Sequence, residues 1–305
     1  MKKGFTFIEM LFVIVIMGML AKFGSEIFRN VYQNYTSSTA NNKMQIDTEL
    51  VLQQIANRLQ FRLKDSVIAT RVNGNFTGLS SITDSNYTAF EWIGYDIDGF
   101  LGNNRAGVET YNKPTWTGFI DVDAINNPLL ADTNTLFSPS SDTGEINIVI
   151  NALSPAGVGI ADSAIFFVGE NANVQTDYGW NTGAQLVTQN NIAAHRIQAG
   201  GTVQQFDDIT GADFNGTDIY EQYRLSWTAY ALEVTNDGNL TLHYDYRPWD
   251  GENYDDANTS TALLMENVST AKLQMLGDMI NIQICVDENN ITRNEYSVCK
   301  EKTIF

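Results

Sequence analysis

The fold follows from the opening stretch of the chain, MKKGFTFIEMLFVIVIMGMLAK at residues 1–22. Two lysines precede Gly4, and the 17 residues from Phe5 to Ala21 are almost wholly apolar. As a helix this run spans roughly 25 Å, at the short end of what crosses a bilayer. Residues 23–28 extend the run when the side chain of Lys22 snorkels. The stretch therefore predicts a membrane-spanning helix.

Glu9 is the single charge within the apolar run. A carboxylate in the lipid core costs on the order of 3 kcal/mol on insertion scales, so such a residue is expected to have a partner. Cleavage of the chain after Gly4 would create an amino group on Phe5, close to Glu9 of the same subunit or of a neighbour. Because the lysines precede the run, the positive-inside bias keeps the N-terminus in the cytoplasm and sends the remainder across.

Lys-Lys-Gly followed by Phe-Thr-Phe-Ile-Glu-Met-Leu and an apolar helix resembles the N-terminus of type IV pilins and type II secretion pseudopilins. The resemblance implies that a prepilin peptidase cuts after Gly4 and that Phe5 is methylated. It also implies that Glu9 pairs with a neighbouring subunit's N-terminus during filament assembly. One position departs from the pattern, because Glu26 stands where major pilins often have proline.

The residue pattern and the resemblance together imply the domain organisation, and the resemblance implies the partners. Residues 1–4 would form the leader, 5–28 the transmembrane and filament-core helix, 29–66 its amphipathic continuation, and 67–305 a periplasmic β-rich head. The expected partners are the prepilin peptidase, other pilins or pseudopilins of the same filament, and the inner-membrane assembly platform. The protein would be a single-pass inner-membrane protein before it enters a pilus or pseudopilus.

Two other interpretations of the N-terminus compete with this one. An ordinary secretory signal also has a basic start and an apolar core, but its small-x-small cleavage site is poorly matched around residues 19–21 and 23–25. A simple membrane anchor would not need the Gly-Phe-Thr-x-x-Glu pattern.

Charge is distributed unevenly along the chain. Residues 1–72 hold nine Lys or Arg against five Asp or Glu, whereas residues 73–305 hold nine against 31. Nucleic-acid binding needs clustered cations that neutralise phosphates, so no direct contact of the acidic head with nucleic acid is expected. Solubility of an exported protein explains the acidic surface, and an acidic binding patch is the alternative.

An apolar stripe continues the helical pattern beyond the membrane segment. Its members, three or four residues apart, are Met44, Thr48, Val51, Ile55, Leu59 and Leu63. The stripe predicts one long helix from Phe5 to about Lys64, whose second half packs on the head. From about Val67 the period changes to about 2 and turn residues multiply. The predicted class is therefore α+β, with a long N-terminal helix on a head of antiparallel sheet.

Several strands can be placed from alternation and turn residues. The predicted strands are Tyr87–Tyr95, Ile146–Ile150, Ser163–Gly169, a hairpin of Arg224–Thr235 with Leu240–Tyr246, a pair of Ala262–Met275 with Met279–Val286, and an edge strand from Tyr296 to Phe305. Residues 96–222 otherwise show no legible pattern or repeat.

Cys285 and Cys299 both lie in the last 21 residues. A disulfide between them is permitted outside the cytoplasm, and in the chain-entropy model it would contribute roughly 3 kcal/mol. The resemblance supports this, since many pilin-like heads have a cysteine pair near the C-terminus. Zinc is not expected, because the chain has no CxxC and its two histidines, His195 and His243, are isolated.

Two acidic stretches are candidates for calcium, and no other cofactor is expected. Asp96-x-Asp98-Gly99 resembles the start of a calcium loop, although its spacing departs from the EF-hand pattern, and a solvated turn is the alternative. Further oxygen donors in these stretches are Asn103, Asn104 and Glu109 in the first, and Asp250, Glu252, Asp255 and Asp256 in the second.

Aromatic side chains could form a sugar-binding surface or could pack in the core, and we expect core packing. They are Trp92, Tyr95, Trp116, Trp180, Trp227, Tyr230 and Trp249. No recognised catalytic spacing occurs, so the chain is not expected to be an enzyme.

The order of the predicted strands near the C-terminus helps to distinguish a minor from a major filament subunit. Glu266-Asn267-Val268 before a strand, followed by a short apolar strand, looks similar to J-type minor pseudopilins and W-type minor pilins. The length of the chain also favours a minor subunit near the filament tip. The prediction is a minor pilin or pseudopilin. The alternatives are a membrane-anchored or secreted sugar- or calcium-binding protein without a filament, and an exported hydrolase.

Overall fold

The computed structural model describes residues 4, 6–71, 74–82, 86–102, 113–123, 134–155, 157–180, 184–189, 192–212, 214, 217–287 and 297–305. The helices are α1 Phe7–Leu59, α2 Ile97–Leu101 and α3 Thr143–Leu153. The strands are β1 Ile68–Thr70, β2 Phe76–Gly78, β3 Ala89–Gly94, β4 Thr135–Phe137, β5 Ala164–Phe167, β6 His195–Ala199, β7 Gln205–Asp208, β8 Tyr223–Ser226, β9 Thr228–Val234, β10 Leu240–Tyr246, β11 Ser260–Met265, β12 Val268–Leu276, β13 Met279–Asp287 and β14 Ser297–Ile304. The α+β class is confirmed.

All described strand pairs are antiparallel, and they form three sheets. The first sheet has the order β11-β10-β9-β3-β1-β2, the second β12-β13-β14, and the third β4-β7-β6-β5-β8. The third sheet falls largely within the part of the sequence that showed no legible pattern. Its strands come from distant segments, as when β5 pairs with β8.

The C-terminal part of α1 packs between the first and second sheets. Leu52, Ile55 and Leu59 are almost fully buried there, in one apolar cluster with Trp92 of β3 and Ile282 of β13. The predicted stripe is thus the face that α1 buries. Each such side chain contributes about 1.5–3 kcal/mol through burial, which makes this contact the main attachment of helix to head.

The helix ends earlier than predicted, at Leu59 rather than near Lys64. The chain leaves the helix because it joins β3. The Leu63 amide donates to the Ile93 carbonyl at 2.8 Å, and Arg62 forms a bridge with Gly94. Backbone pairing with the sheet therefore replaces another helical turn.

Polar contacts supplement this attachment. The buried guanidinium of Arg62 donates to the carbonyl oxygens of Leu59 at 2.7 Å and Asp278 at 2.5 Å, and so ties the last helical turn to the β12–β13 turn. Lys64 pairs with the Asp278 carboxylate at 2.8 Å. On β14, Lys300 lies 3.1 Å from Glu49 of α1. The exposed pairs add little free energy, but they fix the orientation of the sheet on the helix.

The predicted strand at Ile146–Ile150 is wrong, because these residues lie in α3. The Asp142 carboxylate caps α3 by accepting the amides of Gly144 at 3.1 Å and Glu145 at 3.2 Å. Ile146 and Ile150 are four residues apart and both fully buried, as one helical face requires. A short apolar run alone does not distinguish a helix from a strand.

Two of the predicted strands are each divided into two. Residues 224–235 separate at Trp227 into β8 of the third sheet and β9 of the first. Residues 262–275 separate at Asn267, whose positive φ of 59° turns the chain from β11 into β12. The predicted hairpins β9–β10 and β12–β13 are confirmed, with their turns at residues 235–239 and 277–278.

β14 is an edge strand of the second sheet, as predicted. Cys299 on this strand is the register partner of Cys285 on β13, and the two are joined in a disulfide. The bond fastens to the sheet a strand that also contacts α1.

Leu52→Ala should lower the free energy of unfolding by about 2–5 kcal/mol, because it opens a cavity between α1 and the sheets. Leu50→Ala is the matched control, since Leu50 lies on the same helix but is 56% exposed, and its effect should stay within about 0.5 kcal/mol. Urea unfolding of the full chain in detergent measures both. Equal effects would contradict the assignment of the buried face.

Replacing Cys285 and Cys299 together with serine should cost about 3 kcal/mol of unfolding free energy, because the unfolded chain loses a cross-link. Urea midpoints of the wild type and the double variant, each with and without a reducing agent, measure this loss. The reductant should shift only the wild type. A wild type that is insensitive to reduction would count against the disulfide as a stabilising link.

Candidate functional site

The candidate site is the start of α1, where the sequence predicts processing and assembly. Thr6 is the N-cap in extended conformation, and the Glu9 carboxylate accepts from the Thr6 amide at 3.4 Å and its hydroxyl at 3.5 Å. Such a capping box satisfies free backbone donors, and the positive end of the helix dipole favours the carboxylate there. Gly4 lies just before this cap, whereas Phe5 and the leader residues 1–3 lie outside the described residues.

The first half of α1 contacts no described residue of the head. α1 contains a stretch long and apolar enough to cross a membrane, and no residue of that stretch is buried in the protein. Phe7 is 84% exposed and Phe28 81%. Soluble monomers rarely expose an apolar surface of this extent, so it requires a lipid or protein environment.

Glu9 lies at the beginning of this exposed surface. Within the part of the chain that the structure describes, no cation pairs with its carboxylate. The capping contact with Thr6 satisfies some of its acceptor capacity but supplies no positive charge. A counter-charge for this carboxylate in an apolar environment would therefore have to come from outside the described residues.

Asp96 of the first calcium candidate caps the short helix α2. Its carboxylate accepts from the Gly99 amide and from the Trp116 indole, each at 3.1 Å. Burial raises the pKa of Asp96 to about 6, and these hydrogen bonds oppose the shift. Asp98 lies in the first turn of the same helix.

Calcium at Asp96 and Asp98 stays a prediction. Residues 103–112, which include the further donors suggested by the sequence, lie outside the described residues. Among the residues that are described, no three or more His, Cys, Asp or Glu side chains form a group able to hold a metal ion.

Three of the four carboxylates of the second acidic stretch have protein partners. Asp250 pairs with Arg196 at 2.8 Å and Glu252 with Arg247 at 2.5 Å. Asp256 accepts from the Asn253 amide at 2.7 Å. These contacts order the loop after β10. They also use carboxylate oxygens that a bound cation would need as ligands.

The tryptophans are core residues, as expected. Trp92, Trp116 and Trp249 are fully buried, and Trp180 and Trp227 are each 8% exposed. Trp92 stacks on Tyr230 with ring centroids 5.7 Å apart. The sugar-binding interpretation therefore has no surface formed by these tryptophans.

Sequence reasoning missed a buried carboxyl in the first sheet. Glu91 of β3 accepts from the Thr70 hydroxyl at 2.5 Å and the Tyr246 hydroxyl at 2.9 Å. Burial raises the pKa of Glu91 to about 7, although both hydrogen bonds act in the opposite direction. The signal was a single charge within the apolar run of β3, but the sequence did not show which residues surround it.

A second network missed by sequence reasoning surrounds His195, which is fully buried. Its Nδ1 lies 3.0 Å from Gln189 Oε1, and the Gln189 amide donates to Asp208 at 2.5 Å. Asp208 also accepts from the Thr210 and Gly211 amides. The network joins the loop before β6 to the end of β7, which is a structural role.

Stability should fall as pH rises from 4.5, the ordinary pKa of a glutamate, through about 7, the pKa of Glu91 in the fold. The unfolded chain releases this proton first, so the folded state loses up to about 3 kcal/mol across that window. Glu91→Gln keeps the shape and removes the titration. Its unfolding free energy should lack this part of the pH dependence in urea titrations at several pH values. Identical pH profiles would contradict the assignment.

Comparison with known proteins gives a match at the N-terminal segment alone. Residues 1–21 match the family model described as the prokaryotic N-terminal methylation motif. No curated protein and no solved structure matches the chain significantly. The motif covers Gly4, Phe5 and Glu9, and it coincides with the exposed apolar start of α1. The chain thus carries, within residues 1–21, the prokaryotic N-terminal methylation motif, and by this segment it resembles type IV pilins and pseudopilins.

Proposed function

We propose that the protein is a minor subunit of a type II secretion pseudopilus or of a type IV pilus-like filament, positioned near the tip. The observation that carries the proposal is the start of α1: a membrane-length apolar surface that contacts no described residue of the head and begins with a carboxylate that pairs with no cation among the described residues. The role is structural and requires no catalysis.

Assembly would use the two halves of α1 differently. The prepilin peptidase cuts after Gly4, and the amino group of methylated Phe5 becomes a cation at the apolar end of the helix. Glu9 of one subunit pairs with that cation on a neighbour, which removes two unpaired charges from an apolar environment at once. The C-terminal part of α1, buried between the two sheets, then keeps the head attached to the assembled filament.

Before assembly, the protein would be held in the inner membrane with a cytoplasmic N-terminus and a periplasmic head. The basic leader supports this orientation. The disulfide between Cys285 and Cys299 fits an oxidising compartment. The inner-membrane assembly platform and other pilins of the filament are the expected partners.

The architecture of the head supports a place near the tip. The third sheet and α3 add a second apolar cluster to the part of the head that packs on α1. Repeated packing along a filament leaves limited room around each helix, whereas a terminal subunit has fewer neighbours. The added bulk is therefore tolerated best at the end of the filament.

Glu9→Ala should give a stable, processed protein that assembles poorly, because a buried ammonium on the neighbouring subunit would lose its partner at a cost of about 3–5 kcal/mol. Glu26→Ala is the matched control, since it removes a charge from the same helix outside the capping box, and it should assemble normally. Recovery of each variant with sheared filaments, relative to its amount in the membrane, measures assembly.

Normal recovery of the Glu9→Ala protein would contradict the assembly role. Equal loss in both variants would show that charge along the helix matters generally and would likewise count against a specific Glu9 pair. Unchanged processing must be verified in each strain from the size of the mature chain.

A further inference from the structure

A five-residue pattern recurs along the head and is not explained by the filament role. The chain contains eight Asn-x-Ser/Thr sequons, the acceptor signal for N-linked glycosylation. In five of them an acidic residue stands two positions before the asparagine. Because 36 of the 305 residues are Asp or Glu, about one such case would be expected among eight sequons if acidic residues were placed at random. The five stretches are Asp-Ser-Asn-Tyr-Thr at 84–88, Asp-Phe-Asn-Gly-Thr at 213–217, Asp-Gly-Asn-Leu-Thr at 237–241, Asp-Ala-Asn-Thr-Ser at 256–260 and Glu-Asn-Asn-Ile-Thr at 288–292.

The structure describes the asparagines of three of these five stretches, and each of the three lies in a loop just before a strand. Asn86 precedes β3, Asn239 precedes β10 and Asn258 precedes β11. Asn86 and Asn258 are exposed, and Asn239 is half-buried. An attached oligosaccharide is bulky and hydrated, so it needs an asparagine at the surface, as these loops provide. Asn215 and Asn290 lie outside the described residues.

Turn formation alone also favours Asp and Asn before a strand, so the contacts of the acidic residue decide what the turn needs. In the turn before β10 the Asp237 side chain is exposed and has no partner among the described residues. Backbone bonds close this turn instead. The Gly238 amide donates to the Thr235 carbonyl at 2.9 Å, and the Thr235 amide donates to the Asn239 carbonyl at 2.9 Å. The turn therefore does not require the carboxylate of Asp237.

The loop before β11 shows how the fold would carry a glycan. Residues 255–258 are all exposed. The Asp256 carboxylate accepts from the Asn253 amide at 2.7 Å, and the Asp256 carbonyl accepts from the Thr259 amide at 3.0 Å. These bonds hold the loop on both sides of Asn258, whose own side chain has no hydrogen-bond partner in the described part of the chain. A group attached to Asn258 would therefore displace none of the contacts that order the loop.

The hydroxyl of the same sequon is engaged in the folded head. Ser260 donates to the Asp245 carboxylate, and it is the register partner of Tyr244 at the start of β11. A transferase that recognises Asn-x-Ser/Thr needs the asparagine and this hydroxyl together. Transfer would therefore take place before β11 joins the sheet, while the head is being exported and folded.

We propose that the head is an acceptor for N-linked glycosylation at the sequons preceded by an acidic residue, with Asn258 as the principal site. The donor would be an oligosaccharide joined through phosphate to a membrane lipid. A bond forms between the Asn258 side-chain nitrogen and the anomeric carbon of the sugar, while the bond from that carbon to the phosphate oxygen breaks and the phosphate leaves with the electron pair. The proton lost by the amide nitrogen passes to a base of the transferase. The proposal rests on the proposed export of the head but not on filament assembly.

The acidic residue would supply the selectivity. A cation beside the acceptor site of the transferase would pair with this carboxylate, and so would distinguish the five sequons from the three that lack it. The three are at Asn34, Asn75 and Asn267, and all three asparagines are exposed. Exposure alone therefore does not separate the two groups, which makes these three positions internal controls.

The test uses the protein purified from its native membrane and analysed by mass spectrometry, with fragmentation that keeps glycans on the peptide. Cleavage after glutamate places Asn239, Asn258 and Asn267 in three separate peptides. The Asn258 peptide should carry an added mass of monosaccharide residues on that asparagine, and so should the Asn239 peptide. The Asn267 peptide should have the mass of its unmodified sequence.

Matched variants, expressed in the same native strain, test each part of the acceptor. Asp256→Asn keeps an oxygen for the Asn253 amide but removes the charge, and it should lower the occupancy of Asn258 by about tenfold, as the loss of one charged hydrogen bond does. Ser260→Ala should abolish the modification, whereas Ser260→Thr keeps the hydroxyl and should retain it. Asn253→Gln changes an exposed asparagine of the same loop outside the sequon and should leave the occupancy unchanged.

An unmodified Asn258 peptide from the native protein would overturn the proposal. Equal occupancy of Asn258 and Asn267, or unchanged occupancy in the Asp256→Asn protein, would overturn the selection by the acidic residue. The N-terminal peptide of the same sample reports processing separately. A methylated Phe5 together with an unmodified Asn258 would contradict the glycosylation and leave the filament role intact.

Discussion

Burial of one face of α1 between two sheets is the interaction on which the rest of the structure depends. Leu52, Ile55 and Leu59 hold the head to the helix, and Arg62 fixes the point where the chain leaves it. Because all these contacts lie in the C-terminal part of α1, the N-terminal half has no neighbour among the described residues of the head. The C-terminal part of α1 thus belongs to the core of the head, and its N-terminal part is an exposed apolar surface.

The N-terminal half of α1 exposes apolar side chains and the Glu9 carboxylate, and the described part of the monomer neither covers the former nor neutralises the latter. Lipid would cover its apolar side chains, but lipid supplies no counter-charge for Glu9, whose described side-chain contacts are both to Thr6. A neighbouring processed N-terminus would meet both requirements, because it offers an apolar helix together with a cation. In the proposed function, the same chemistry would serve both a membrane-held form and a filament form.

The parts of this account that rest on local chemistry could be predicted from the sequence. The N-terminal motif, the stripe of α1, two hairpins and the β14 edge strand depend on neighbouring residues. What failed depended on distant partners: Ile146 and Ile150 belong to a helix whose buried face is defined by the third sheet, and Trp227 separates strands that join different sheets. Glu91 was missed for the same reason, since Thr70 and Tyr246 reach it from other strands.

The most direct test of the central claim is the mass of the N-terminal peptide of the protein purified from its native membrane. The proposed function predicts a peptide that begins at Phe5 with a methylated amino group, because cleavage after Gly4 creates an N-terminal cation close to Glu9 and keeps α1 intact. A peptide that begins near Lys22 or Ser25 would contradict it. Glu9 would then belong to a discarded signal, and the mature protein would lack the helix that the filament requires.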